Sequence, residues 1–159
     1  MLLLQQSPHA KQTRLADAIT LDDFVAVVHV SINATTKAWG VCALGNSGDT
    51  TRLIVTSAGL SLQWDSERKN VGHVAGFGNG VQLFRIERLN SEFTLTTLEG
   101  SFPMQSIGDG TDGPISFDLI GGLADSLGCR VLGVAILPGH PTAEDVARVE
   151  VGLAGYQLS

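Results

Sequence analysis

The sequence predicts an all-β protein, an antiparallel β-sandwich closed by one short C-terminal helix. Apolar runs of strand length recur between turn residues, at the spacing of roughly 8–12 residues that is typical of sandwiches. The composition combines 43% hydrophobic residues with 19 glycines and only 16% charged residues in a chain of 159. Residues 127–156 predict a buried strand, a Pro/Gly turn and a capped amphipathic helix, which close the domain.

The chain length suits one domain spanning residues 1–159, with residues 1–10 as an extended N-terminal arm. The first strand is predicted at 23–32, where both alternating faces are mostly apolar, a pattern typical of the centre of a sheet. The next predicted strands are 38–44, 52–57, 60–64 and 71–77, with the polar residues 66–70 as a turn before the last of them.

The second half of the chain opens with a glycine-rich turn at 76–80 and a strand at 81–89. In this strand Arg85, Glu87 and Arg88 are expected on the solvent side. Residues 100–113 have the weakest pattern, and 108–113 predict a loop. The remaining predicted strands are 93–98, 115–120 and 129–137.

A helix is predicted after Pro138 and Pro141, which end the last strand. Thr142 is expected to cap it, with Asp145 three residues later. The expected buried stripe is Val146, Val149 and Leu153, and the residues expected to face water are Glu144, Arg148 and Glu150.

The order of these segments resembles the concanavalin A-like lectin/glucanase superfamily, and its laminin G-like members in particular. Residues 81–100 match the central hairpin of that family, 117–122 its I-G-G strand, 128–137 its late strand and 141–156 its helix, with Glu144 at the acidic position. Two positions depart from the pattern: Glu99-Gly100 replaces Asn-Gly or Asp-Gly, and the late strand lacks its acidic residue. The resemblance covers most of the chain and implies a jelly-roll sandwich, a fold that serves many functions.

Charge and hydropathy argue against nucleic acid and membrane as partners. The net charge is −6 and no cluster of Lys and Arg is present, whereas nucleic-acid binding needs clustered cations. Residues 1–10 lack the basic and long apolar regions of a signal peptide or membrane span, so synthesis in the cytoplasm is expected.

The sequence predicts no enzymatic activity. Glycosidases of the resembled superfamily carry Glu-x-Asp-x-x-Glu on one strand, and this sequence has no such motif. A Gly-x-Ser-x-Gly nucleophile elbow is also missing, and no motif surrounds the four histidines. His29 alternates within the apolar strand 23–32 and is expected to be buried or half-buried there.

Calcium and carbohydrate remain as alternative ligands. No cofactor is expected, but laminin G-like domains often hold calcium, for which the candidate ligands are Asp109 and Asp112, or the turn residues Asn46 and Asp49. An ordinary polar loop is the competing interpretation. Carbohydrate binding would use exposed aromatic side chains beside polar groups. The candidates are Trp64 with Asp65, Trp39 and Tyr156, and Trp64 is favoured because it ends a strand beside charged residues.

The leading functional hypothesis is a structural module of a bacteriophage virion, made in the host cytoplasm and used as capsid decoration or as a neck, tail or fibre component. It rests on a free-standing jelly roll without a signal peptide or catalytic partner. The apolar arm of Leu2, Leu3 and Leu4 would then pair with a neighbour or complete a sheet edge. The expected partners are other virion proteins or copies of the chain. The alternative hypothesis is a lectin-like protein that recognises a cell-surface glycan.

Overall fold

The computed structural model describes the chain in nine ranges, which are 1–4, 12–32, 41–45, 51–56, 59–64, 67–71, 80–107, 113–121 and 129–155. In chain order their elements are β1 (Leu2–Leu4), β2 (Gln12–Leu21), β3 (Phe24–Ile32), β4 (Val41–Gly45), β5 (Thr51–Thr56), β6 (Gly59–Trp64), β7 (Glu67–Val71), β8 (Gly80–Leu89), β9 (Glu92–Thr97), β10 (Gly100–Pro103), β11 (Gln105–Ile107), β12 (Ile115–Gly121), β13 (Cys129–Pro138) and the helix α1 (Ala143–Ala154).

The strands form two sheets in which every described pairing is antiparallel. One sheet has six strands in the order β1-β13-β3-β8-β9-β10, and the other has seven in the order β11-β7-β6-β5-β4-β12-β2. The architecture is a jelly-roll sandwich with one short C-terminal helix, so the predicted fold class is confirmed.

Strand β3 lies inside the six-stranded sheet, paired with β13 on one side and β8 on the other. Residues 24–30 are all buried, because each face of the strand packs against a different apolar layer. One face, which includes Phe24 and Val28, enters the core between the sheets. The other, which includes Val25 and Val27, packs beneath α1. This confirms the central position predicted from its two apolar faces.

The main core lies between the two sheets, and β3, β8, β9 and β13 supply most of its side chains. From the seven-stranded sheet, β12 contributes Ile115 and Phe117, and three partly buried residues of β2 pack against them. The rings of Phe24 and Phe117 meet edge to face with centroids 6.2 Å apart. This contact joins the two sheets across the sandwich.

The helix packs on the outer face of the six-stranded sheet through Val146, Val149 and Leu153, the stripe predicted from the sequence. Before it, Gly139 has φ +71, a conformation that glycine adopts without strain, and its N–H donates to the carbonyl of Asp23 at 2.7 Å. The Thr142 hydroxyl accepts from the Asp145 N–H at 3.1 Å, which confirms the predicted N-cap.

Several elements differ from the sequence prediction. Residues 67–70, predicted as part of a turn, belong to β7, which bonds to β6 and β11 and therefore satisfies its backbone groups despite its polar sequence. Strand β2 was not predicted, because its apolar residues are spaced irregularly. Two short strands, β10 and β11, occupy the weakly patterned region 100–113. Most of the predicted strand 71–77 and most of the glycine turn 76–80 lie outside the described residues.

Candidate functional site

The sequence-predicted ligand residues are only partly covered by the structure. Trp64 is the last residue of β6, and its backbone pairs with Thr51 of β5 and Glu67 of β7. The other candidates for glycan and calcium lie outside the described residues: Trp39, Asp65, Asp109, Asp112, Asn46, Asp49 and Tyr156. Their proposed roles stay predictions.

The predicted assembly arm forms β1, an edge strand of the six-stranded sheet. Leu2, Leu3 and Leu4 pair with residues 134–136 of β13 in the same chain. Their backbone thus extends the sheet beyond β13, where an edge would otherwise be open. Pairing with a second chain stays a prediction.

A row of polar residues crosses the middle of the seven-stranded sheet. Arg52 of β5 pairs with Gln63 of β6, and Gln63 pairs with Arg68 of β7. Paired positions of antiparallel strands share one face of a sheet. Since neighbouring strands lie about 4.8 Å apart, the Cα atoms of the two arginines are about 10 Å apart with Gln63 between them.

The next row on this face contains Ile54 of β5, Ser61 of β6 and Asn70 of β7. We call the polar members of the two rows the β5–β7 polar strip, which consists of Arg52, Ser61, Gln63, Arg68 and Asn70. The opposite face of the same strands has the apolar positions Leu53, Val55, Leu60, Leu62, Trp64 and Val71 and the polar positions Thr51, Glu67 and Lys69. Trp64 shares the face of Leu60 and Leu62, so the strip and the predicted tryptophan site occupy opposite faces.

A second polar cluster lies on the outer face of the six-stranded sheet, beside α1. Arg85 Nη1 donates to Glu150 Oε1 at 3.0 Å, and Arg85 Nε is 3.3 Å from Glu87 Oε2. The latter contact is an ion pair without hydrogen-bond geometry, because Nε has no hydrogen-bond partner. Thr96 Oγ1 lies 3.4 Å from Glu87 Oε2 and shares a 2.9 Å hydrogen bond with Ser101.

This outer-face cluster joins the helix to the sheet. The positive charge of Arg85 is paired with the negative charges of Glu87 and Glu150. The hydroxyl groups of Thr96 and Ser101 bond to each other, and that of Thr96 also bonds to Glu87. Glu150, expected to face water, is instead half-buried against Arg85. The cluster therefore serves packing of α1, and the β5–β7 polar strip is the better candidate for ligand binding.

Arg88 is buried, with 2% of its surface exposed, although the sequence predicts it on the solvent side. The strand alternation places it on the inner face with Phe84 and Ile86. Its guanidinium stacks over the Phe93 ring at 5.5 Å, and Nη1 donates to the carbonyl of Asp22 at 3.0 Å. A cation–π contact and a hydrogen bond thus accompany the buried charge at the end of the sandwich.

Asp23 joins three turns at the same end. Its Oδ1 accepts from the Asn90 N–H at 3.0 Å, and its Oδ2 lies 2.7 Å from Nε2 of His140. Partial burial acts to raise the pKa of Asp23, but the hydrogen bonds from Asn90, His140 and Ser91, with the charge of His140, outweigh it and lower that pKa below 3.8. Because His140 and Asn90 belong to other turns, Asp23 is a structural junction.

Within the described ranges, no three His, Cys, Asp or Glu side chains are grouped so that they could hold a metal ion. In the same part of the chain, no helix is both long enough and apolar enough to cross a bilayer.

No protein-family model matches the sequence, and no curated protein matches it. Among solved structures, the fold is similar to a legume lectin-like domain from Entamoeba histolytica, with TM-score 0.50 and 12% identity over 86% of this chain and 84% of that one. It is also similar to part of a Trypanosoma rangeli sialidase in complex with sialic acid, with TM-score 0.51 and 12% identity over 86% of this chain. The chain spans only 24% of that sialidase.

Chicken galectin 2 is a further neighbour, with TM-score 0.47 and 11% identity over 79% of this chain and 97% of that one. At these identities the likeness concerns the fold alone.

The sequence prediction missed the β5–β7 polar strip. The sequence carries only part of the signal: polar and apolar residues alternate in 60–63, which puts Ser61 and Gln63 on the face opposite to Leu60 and Leu62. Arg68 and Asn70 lie in the polar segment 66–70, which predicts a turn, so the sequence does not indicate that they are strand positions. Only the strand register brings the three segments together.

Proposed function

We propose that the protein is a non-enzymatic carbohydrate-binding module that recognises a glycan on the β5–β7 polar strip. The observation that carries the proposal is the grouping of five polar positions on one face of three neighbouring strands. Five polar residues share one face, whereas the other face of the same strands has mainly leucine and valine positions. A polar array on a sheet face suits a ligand whose surface consists of hydroxyl groups.

The residue types of the strip match the chemistry of sugars. Side chains of Ser, Asn and Gln both donate and accept hydrogen bonds, as sugar hydroxyls do. Arg52 and Arg68 each add a planar set of donors that can bond two oxygens at once, which favours vicinal hydroxyls or a carboxylate. The fold supports this function, since one neighbour is described as legume lectin-like and another as a sialidase in complex with sialic acid.

The composition of the strip supports binding without hydrolysis. Glycoside hydrolysis uses a pair of carboxyl groups that flank the scissile bond. None of the five residues of the strip is Asp or Glu, and Glu67 occupies a position on the opposite face. The strip can therefore hold a sugar but has no acid and base of its own.

A glycan array followed by titration of the purified full chain tests this proposal. We expect saturable binding that Arg68→Gln and Arg52→Gln each weaken by about 10-fold or more, as expected for loss of a hydrogen bond from a charged donor. Arg148→Gln is the matched control, because Arg148 is exposed on α1. Comparing neutral with acidic glycans at two salt concentrations shows whether the arginines recognise a carboxylate or hydroxyl groups.

Two outcomes would contradict the proposal. If Trp64→Ala abolishes binding while both arginine variants bind normally, the ligand uses the opposite face of these strands. If the folded protein binds no glycan on the array, the carbohydrate-binding function itself is wrong.

A virion role remains a prediction of the sequence, together with virion partners and host-cytoplasmic synthesis. None of the three neighbours described above is named as a virion protein. The position of the gene tests this role, because a virion module should be encoded among capsid or tail genes.

A further inference from the structure

His29 lies between β3 and the last turn of α1. It occupies the outer face of β3 with Val25 and Val27, and only 5% of its surface is exposed. The imidazole hydrogen-bonds the backbone of Leu153, which is one of the two buried residues of the helix. Its Nδ1 is also buried, with no hydrogen-bond partner.

Among the residues that the structure describes, no carboxylate pairs with His29 to balance an imidazolium. Its paired residues are Leu83 on β8 and Gly133 on β13, and both are uncharged. The charged side chains on this face are Arg85 and Glu87 of β8 and Glu150 of α1. Arg85 forms ion pairs with both glutamates, and neither glutamate is a partner of His29.

Protonation would therefore be costly in this position. It would place a positive charge and a second N–H donor, on Nδ1, in an apolar layer where Nδ1 has no acceptor. Burial lowers the pKa of His29 below 6.5, and the hydrogen bond to Leu153 opposes that shift only in part. The site accommodates the neutral imidazole, which needs a single partner.

We propose that α1 is an acid-releasable cover of the outer face of the six-stranded sheet, and that protonation of His29 releases it. The helix rests on this face through Val146, Val149 and Leu153. Its departure would uncover an apolar surface made of Val25, Val27, Ala135 and Leu137.

The sign of the effect follows from linkage. Because the pKa of His29 is lower with the helix docked, the released state binds a proton more readily. Docking is therefore strongest above about pH 6.5, the ordinary value for histidine, and weakens as the pH falls. One proton changes the opening constant by at most about 10-fold for each pH unit.

Hydrogen exchange of the full chain between pH 7.5 and 5.0 tests the proposal. After correction for intrinsic rates, we expect the amides of α1 to lose protection at pH 5.0 while those of β3 and β8 keep theirs. His29→Phe and His29→Gln cannot take up the proton, so their helix protection should not depend on pH. His140→Gln, which removes the histidine beside Asp23, should behave as the wild type.

The proposal is wrong if α1 and β3 lose protection together, or if a folded His29 variant keeps the pH dependence of the wild type. Should both variants fail to fold, NMR titration of His29 in the wild-type protein decides. If its imidazole stays neutral throughout the range in which helix protection falls, another group releases the helix.

Discussion

Arg85 on β8 and Glu150 on α1 form an ion pair with 3.0 Å between Nη1 and Oε1, and this pair anchors the helix beside the apolar contacts of its buried stripe. Both side chains are partly exposed, 26% and 31%, so solvent weakens their attraction. The helix therefore depends on apolar packing more than on this charge pair.

We expect Arg85→Met to lower the free energy of unfolding by no more than about 1 kcal/mol. A double-mutant cycle with Glu150→Gln, followed by urea unfolding, measures the coupling between the two side chains. The exposed helix pair Arg148 and Glu144 is the reference and should show a coupling of about 0.5 kcal/mol or less. A coupling of several kcal/mol for Arg85 and Glu150 would mean that the pair is far less solvated than its exposure suggests.

Thr142→Ala should destabilise the protein by about 1 kcal/mol, because it removes the hydroxyl that caps the first turn of α1. The same hydroxyl donates to Oδ2 of Asp145 at 2.7 Å and lowers the pKa of that carboxyl group. The substitution should therefore also move the pKa of Asp145 up towards 3.8, which NMR titration measures. Thr142→Ser keeps the hydroxyl and should preserve both properties.

Leu95→Ala should cost about 2–5 kcal/mol, since Leu95 is fully buried in the core between the sheets. Leu98 is a matched control in the turn that follows the same strand, with 95% of its surface exposed. Leu98→Ala should change stability by less than about 0.5 kcal/mol. Equal losses in chemical denaturation would show that β9 does not pack as described.

Asp23→Asn should make the protein less sensitive to acid. The pKa of Asp23 is lowered in the fold, so its ionised form contributes stability above about pH 3.8, and this stability is lost as the pH falls through the lower folded value. Melting temperatures from pH 7 to 2.5 measure the effect. We expect the wild type to lose more stability below pH 3.8 than Asp23→Asn does.

The sequence predicts elements well where side-chain pattern and packing agree. Strand β3 and helix α1 were both predicted because their apolar residues follow the strand and helix periods and are buried at those positions. Strand β7 was missed because its pairing on both sides stabilises a polar segment that has no apolar run. The expectation that the charged Arg88 faces water is wrong, because strand alternation puts it on the buried face beside Phe84 and Ile86.

The candidate site was harder to predict than the fold. Exposed aromatic side chains are the usual sequence indication of a sugar site, and on that basis the sequence favours Trp64 at the end of β6. The polar strip depends on the pairing of Arg52, Gln63 and Arg68, which come from three separate strands. A single strand shows the alternation, but only the pairing register shows that the polar positions form one surface.

Because both faces of β3 are apolar, hydrophobicity specifies its pairing register with β8 and β13 only weakly. In most strands a slip of one residue is prevented because it would move polar residues into the core. In the first half of β3, residues 24–27, such a slip would only exchange one apolar residue for another, and hydrophobicity alone would hardly oppose it there. His29 is the buried polar residue that breaks this equivalence, since a slip would turn it from the helix side into the core between the sheets. Because burying the imidazole in that core would be costly, His29 favours the native register of β3 over the slipped one.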